Sequence, residues 1–123
     1  MSENWDDKSP IYRQLKERVA KLIMDGSFAE GEAIPSVRQV SSDFKINHIT
    51  VSKAYQELVD MGVLEMRRGR GMFVLEGAQN KLLADARAEF ETIELPEIVK
   101  RANQLGISAE ELIEKINRYM DGS

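Results

Sequence analysis

Three segments decide the fold: Ile34-Pro35-Ser36-Val37-Arg38, then Ile46-Asn47-His48-Ile49-Thr50-Val51-Ser52-Lys53-Ala54-Tyr55, then Arg67-Arg68-Gly69-Arg70-Gly71-Met72-Phe73-Val74. Ser36 is placed to cap a helix whose buried face is Val37, Val40 and Phe44. Lys45-Ile46-Asn47 is short enough to be a tight turn, with Asn47 as the next cap. Val51, Ala54, Tyr55 and Leu58 follow at i, i+3, i+4 and i+7, the spacing of a core-facing helical stripe. Met61-Gly62 ends that helix. Leu64 to Arg67 and Met72 to Leu75 read as two short strands around a glycine turn.

Working outward, Ser9-Pro10 reads as a helix start, with Ser9 as cap and proline at the first helical position. Ile11, Leu15, Val19, Leu22 and Ile23 then form one apolar stripe, and Gly26 is the expected stop. On the other side, Gly77 closes a first domain of residues 1–76, and residues 77–123 read as helical. Leu82, Leu83, Ala86, Phe90 and Ile93 keep a helical period, as do Ile98, Val99, Ala102 and Leu105. Pro96 between them either breaks one helix into two or sits in the first turn of the second. Gly106 ends that segment. Ser108 to Glu111 has the pattern of a capping box, with Ile107 and Leu112 at the positions of a hydrophobic staple.

The expected class is therefore mainly α with a small β-hairpin. A helix, a turn, a second helix and a basic glycine hairpin is the order of a winged helix-turn-helix, here followed by a short all-helical domain. In that motif the N-terminal residues of the second helix meet base edges in the major groove. With the stripe buried, the outward face is His48, Ile49, Ser52, Lys53 and Gln56. Thr50, Ser52 and Lys53 suit phosphate or base contacts, and Ile49 is placed to rest on a thymine methyl. Ser36 and Asn47 bring helix N-termini, whose free N–H groups favour phosphate. In the hairpin, Arg67, Arg68 and Arg70 supply charge, while Gly69 and Gly71 let the tip bend. Glycine spacing alone is weak support, since a solvated hairpin has the same look. A nucleotide-binding glycine loop is excluded because no helix follows.

The segment from Pro10-Ile11-Tyr12 through the hairpin resembles the DNA-binding domain of the GntR family of bacterial transcriptional regulators. The resemblance implies that Arg38 lies against DNA. It also aligns Asn47-His48-Ile49-Thr50-Val51 with the Ser-Arg-x-Thr-Val that usually follows the family's turn. Thr50 matches, whereas His48 stands where the family often has arginine. Because imidazole changes charge near neutrality, binding is expected to be mildly pH-sensitive. The apolar stripes of the tail either cover the first domain or pair with a second copy, and the exposed surface they would otherwise leave favours a partner. The short tail also resembles the YtrA-type subgroup, which implies a helical dimerisation domain. Its expected contact residues are Leu82, Leu83, Phe90, Ile98, Leu105, Leu112, Ile113, Ile116 and Tyr119. So small a tail is not expected to enclose an effector within one subunit; an effector site between subunits is the expectation.

Composition bounds the alternatives. The net charge of −4 opposes nucleic-acid binding in sum, but its distribution does not. Residues 34–74 hold six Lys/Arg against four Asp/Glu, whereas residues 77–123 hold six against nine. There is no cysteine and a single histidine, so no disulfide, thiolate site or histidine metal cluster is expected. Glu110, Glu111 and Glu114 read as a solvated face at a helix start. No run approaches a membrane span and the N-terminus lacks an apolar core, so a cytoplasmic location is expected. The expected function is a homodimeric repressor binding double-stranded DNA at an inverted-repeat operator, with no enzymatic activity and no cofactor. The alternative is a winged-helix protein-interaction module that no longer binds DNA.

Overall fold

The computed structural model describes residues 5–122. Helices α1 (Ile11–Met24), α2 (Val37–Phe44) and α3 (His48–Asp60) are followed by strands β1 (Leu64–Arg67) and β2 (Gly71–Val74). Then come α4 (Ala78–Glu89), a π-helical turn (Phe90–Glu94), α5 (Leu95–Gln104) and α6 (Ala109–Met120). The chain folds as two compact units, the first ending at Ala84 and the second beginning at Asp85.

In the first unit the stripes meet as their spacing requires. Leu15, Val19 and Ile23 of α1, Val40 of α2, and Val51, Ala54, Tyr55 and Leu58 of α3 form one core with Val63, Leu64, Met72 and Val74. The start of α1 differs from expectation. Pro10 rather than Ser9 precedes the helix, with no side-chain cap. The buried amide of Gln14 organises the approach instead: its Oε1 accepts from the Asp6 N–H at 3.0 Å, and its Nε2 donates to the carbonyls of Asp6 and Ser9. A buried amide needs all of these partners, because an unpaired one costs about 1–3 kcal/mol.

Ser36 and Asn47 do cap their helices, accepting from Gln39 N–H at 3.0 Å and Ile49 N–H at 2.8 Å. The turn between α2 and α3 depends on Lys45 in the left-handed conformation, φ 53°. That geometry lets the Ile46 N–H bond the Ser41 carbonyl, while the Ser41 hydroxyl donates to the Ile46 carbonyl at 2.6 Å.

The hairpin pairs Leu64 with Val74 and Arg67 with Gly71 in antiparallel register. A third segment pairs with the other edge of β2, with Ile34 N–H to Met72 O at 2.9 Å and Val74 N–H to Glu32 O at 3.0 Å. The loop before α2 is thereby stitched to the hairpin.

The first unit extends past Gly77, because Ala78 and Leu82 of α4 are part of its core. Leu82 is only 4% exposed, so this expected dimer residue is occupied in packing its own domain. Further on, Pro96 lies in the first turn of α5, and helical structure runs through it. Proline supplies no N–H for the preceding turn. The chain widens into a π-turn there, with Leu95 N–H reaching back to Phe90 O. In the second unit Ser108 caps α6 by accepting from Glu111 N–H at 3.1 Å.

The Tyr55 hydroxyl, buried at the centre of the first unit, donates to the Pro35 carbonyl at 2.6 Å. Burial pushes its phenol well above its ordinary titration range, so it remains a donor. Tyr55→Phe should leave the ring packed and cost about 1–2 kcal/mol in urea unfolding. An unchanged midpoint and slope would show that the bond contributes nothing.

Candidate nucleic-acid interface

The interface is built from the N-terminal half of α3 upward. Asn47 holds the helix start by bonding the Ile49 N–H, which leaves other first-turn N–H groups pointing outward. His48, Ile49, Ser52, Lys53 and Gln56 are exposed, and Thr50 is half-buried. Ile49 is 78% exposed, a fraction that rules out a packing role within the described residues. On the opposite face Val51, Ala54, Tyr55 and Leu58 are fully buried, so α3 cannot rotate to hide Ile49.

Arg38 lies in the first turn of α2 and is exposed, next to the cap residue Ser36. Its position relative to α3 is fixed from below, because the Tyr55 bond to Pro35 joins the middle of α3 to the residue before that cap. Lys53 is also held: its Nζ sits 4.0 Å from the centroid of the Tyr12 ring. Such a contact is worth about 0.5–1 kcal/mol at an exposed site. It keeps the lysine head on the outer surface of α3 while costing it little of its charge. The sequence signalled Tyr12 only as a residue near the start of the likeness; its pairing with a residue 41 positions later has no local signature.

The hairpin divides its three arginines. Arg67 is bound to its own domain, with Nε 2.9 Å from Glu65 Oε1 and the guanidinium 4.1 Å from the Phe73 ring centroid. Arg68 and Arg70 lie at the exposed tip, and Arg70 is 6.0 Å from the same ring. Gly69 and Gly71 take φ of 75° and 109°, which side chains rarely adopt, and a Cβ at either would meet nothing within 4 Å. Conformation, not crowding, therefore requires glycine at these two positions. Met66 on β1 is exposed as well, adding an apolar side chain near the tip.

Ser36, Arg38, Asn47, His48, Ile49, Thr50, Ser52, Lys53, Arg67, Arg68, Gly69, Arg70 and Gly71 thus all belong to the first unit, on two capped helix starts and one hairpin. No group of three or more His, Asp or Glu among the described residues is placed to hold a metal. No described helix is long and apolar enough to cross a membrane.

Comparison with known proteins places this arrangement. The family model for bacterial regulatory proteins of the gntR family matches residues 11–74, from α1 to the end of β2. The HTH-type transcriptional repressor YtrA of Bacillus subtilis is 33% identical over 108 residues, 88% of this chain and 82% of its own. A GntR family transcriptional regulator from Listeria monocytogenes superposes with a TM-score of 0.77 at 25% identity, covering 93% of this chain and 98% of that one. The DNA-binding domain of AraR, solved in complex with operator ORR3, matches 58% of this chain and 86% of its own at 30% identity and a TM-score of 0.53. The YtrA likeness necessarily runs beyond the hairpin into the helical tail. With its capped α3, its arginine at the start of α2 and its glycine wing, the chain belongs to the GntR family of bacterial regulatory proteins.

Proposed function

We propose that the chain is a cytoplasmic transcriptional repressor that binds double-stranded DNA as a homodimer and reads an inverted-repeat operator. The observation that carries this reading is the capped, exposed start of α3, held rigidly over a buried face and flanked by Arg38 and the wing. In this assignment α3 enters the major groove. Ile49 rests on a thymine methyl, and Lys53, Ser52 and Thr50 contact bases or phosphates. The first-turn N–H groups that the Ser36 and Asn47 caps leave open face phosphate, and Arg68 and Arg70 follow the adjacent backbone.

The second unit supports the dimer. Among its described residues Ala102 alone is buried. Phe90, Ile98, Leu105, Ile113, Ile116 and Tyr119 are exposed, as is Leu83 at the end of the first unit, while Leu112 is half-buried. Apolar surface on this scale is costly to leave in water, and a second copy offers the matching stripes. Two grooves in the unit, one lined by Leu95, Pro96 and Val99 and the other by Ile98, Leu105 and Leu112, are open clefts. An effector would be enclosed there only when a partner subunit closes them.

Arg38→Ala and Arg70→Ala should each weaken operator binding by about 1–3 kcal/mol in fluorescence anisotropy. Arg70→Ala should also lower the slope of log K against log salt by roughly one unit. Arg67→Ala should lower it less, because Glu65 already offsets that charge. Equal slopes for the two wing variants would contradict the division of roles.

His48 begins α3 and is exposed, so its ring is placed to meet DNA with the first turn of the helix. His48→Ala should weaken operator binding by about 1–3 kcal/mol in the same anisotropy assay if the ring makes a specific contact; an unchanged affinity would remove His48 from the contact set.

Deletion of residues 85–123 keeps Ala78 and Leu82 in the core, which a cut at Glu76 would not. The remaining unit should sediment as a folded monomer. A dimeric remainder would place the interface elsewhere.

A further inference from the structure

The start of α4 is fastened to the rest of the DNA-binding unit through the side chains of Glu30 and Gln79. The Glu30 carboxylate, in the loop between α1 and α2, accepts from Gly77 N–H at 3.0 Å and from Gln79 N–H at 3.0 Å, one bond to each oxygen. The Gln79 side chain returns the contact, donating from Nε2 to the Met24 carbonyl at 2.7 Å, at the last turn of α1. Lys81 lies beside the turn that follows α3, where a Cβ on Gly62 would come within 2.9 Å of its Nζ. Below these, Ala78 and Leu82 are sunk in the core.

Two features go beyond what simple helix capping requires. Burial of Ala78 and Leu82, one turn apart, sets which face of α4 meets the core but, being non-directional, fixes the tilt of the helix less closely. Hydrogen bonds at both carboxylate oxygens, and a reciprocal amide bond to α1, define direction. Donation from Gly77 and then Gln79 holds the Glu30 carboxyl below the usual carboxylate range. The charged acceptor is thus retained at neutral pH, and the contact is lost only as acid protonates it.

We propose that Glu30 and Gln79 form a clasp that fixes the direction in which α4 leaves the DNA-binding unit, and thereby sets the half-site spacing the dimer accepts. Both are positioning residues and neither touches DNA. The proposal rests on the dimeric, inverted-repeat reading above. Its physical basis is the geometry of the duplex: each inserted base pair moves the second half-site about 3.4 Å along the axis and rotates it by about 35°. A stiff exit from each unit rejects such a change, whereas a loosened one follows it.

The test uses the full chain and DNA selected by the wild-type protein from random sequence. The probes are one half-site, the selected inverted repeat, and repeats with the spacer altered by about one or two base pairs. Wild type should lose about tenfold or more in affinity on the altered spacers, whereas Glu30→Ala and the Glu30→Ala/Gln79→Ala pair should lose less than about threefold. Half-site affinity should stay within about twofold of wild type and every protein should sediment as a dimer. Glu30→Gln, which keeps one acceptor oxygen, should fall between.

Variants that reject altered spacers as strongly as wild type overturn the proposal. So does a parallel loss of half-site affinity, which would make the clasp a structural support of the DNA-binding unit. If wild type binds the inverted repeat no better than one half-site, the dimeric reading itself fails, and that outcome is distinct from the other two.

Discussion

The hydroxyl of Tyr55 reaches from the middle of α3 to the Pro35 carbonyl, and the candidate DNA surface is organised around that link. α3 alone has one buried face and one exposed face, which fixes its rotation but not its partner. The bond from Tyr55 adds the partner, because Pro35 immediately precedes the Ser36 cap that starts α2. Arg38 is thereby placed relative to Ile49 and Lys53. The same loop continues the constraint upstream, where Glu32 and Ile34 hydrogen-bond to β2 and so tie the wing to the start of α2. Two helix starts and one hairpin are in this way positioned by a short stretch of chain from residues 30 to 36.

The second unit has a different physical character. It has too few buried side chains to be held together like the first, and its helices present apolar stripes to solvent. Helix termini there are nonetheless well made: Ser108 caps α6, and Gly106 takes φ 71° so that Ile107 N–H can reach Ala102 O at 2.9 Å. Local order is thus encoded in the chain, while most of the unit's apolar surface stays exposed. The π-turn at Phe90–Glu94 follows the same logic, since Pro96 removes one helical donor and the chain widens instead of breaking.

Much of this was legible in the sequence because it depends on neighbours. The caps Ser36, Asn47 and Ser108 act on N–H groups two or three residues away, and the stripe of α3 is a local periodicity. What was not legible depends on distant partners. Ser9 looked like a cap, but no side chain caps α1, and Gln14 instead holds the approach to the helix by binding Asp6 and the Ser9 carbonyl. Leu82 reads as a dimer residue, because helical spacing cannot tell which domain a residue packs against. Arg67 looked equivalent to Arg68 and Arg70, but the pleat of β1 sets it on the face of Glu65 and the pairing with β2 brings Phe73 beneath its guanidinium. The left-handed Lys45 lacked the glycine that usually marks such a position, so nothing local announced it. Glu30, 47 residues before Gly77, had no signature at all.

The most direct test of the DNA-reading assignment is an NMR titration of the isotopically labelled chain with DNA from upstream of its own gene, repeated with a shuffled duplex of equal length. If α3 and the wing read sequence, the largest amide shifts fall on residues 47–53 and 68–71 with the first duplex, and they shrink or vanish with the second. Shifts of equal size on both duplexes, or shifts centred on other residues, would contradict it.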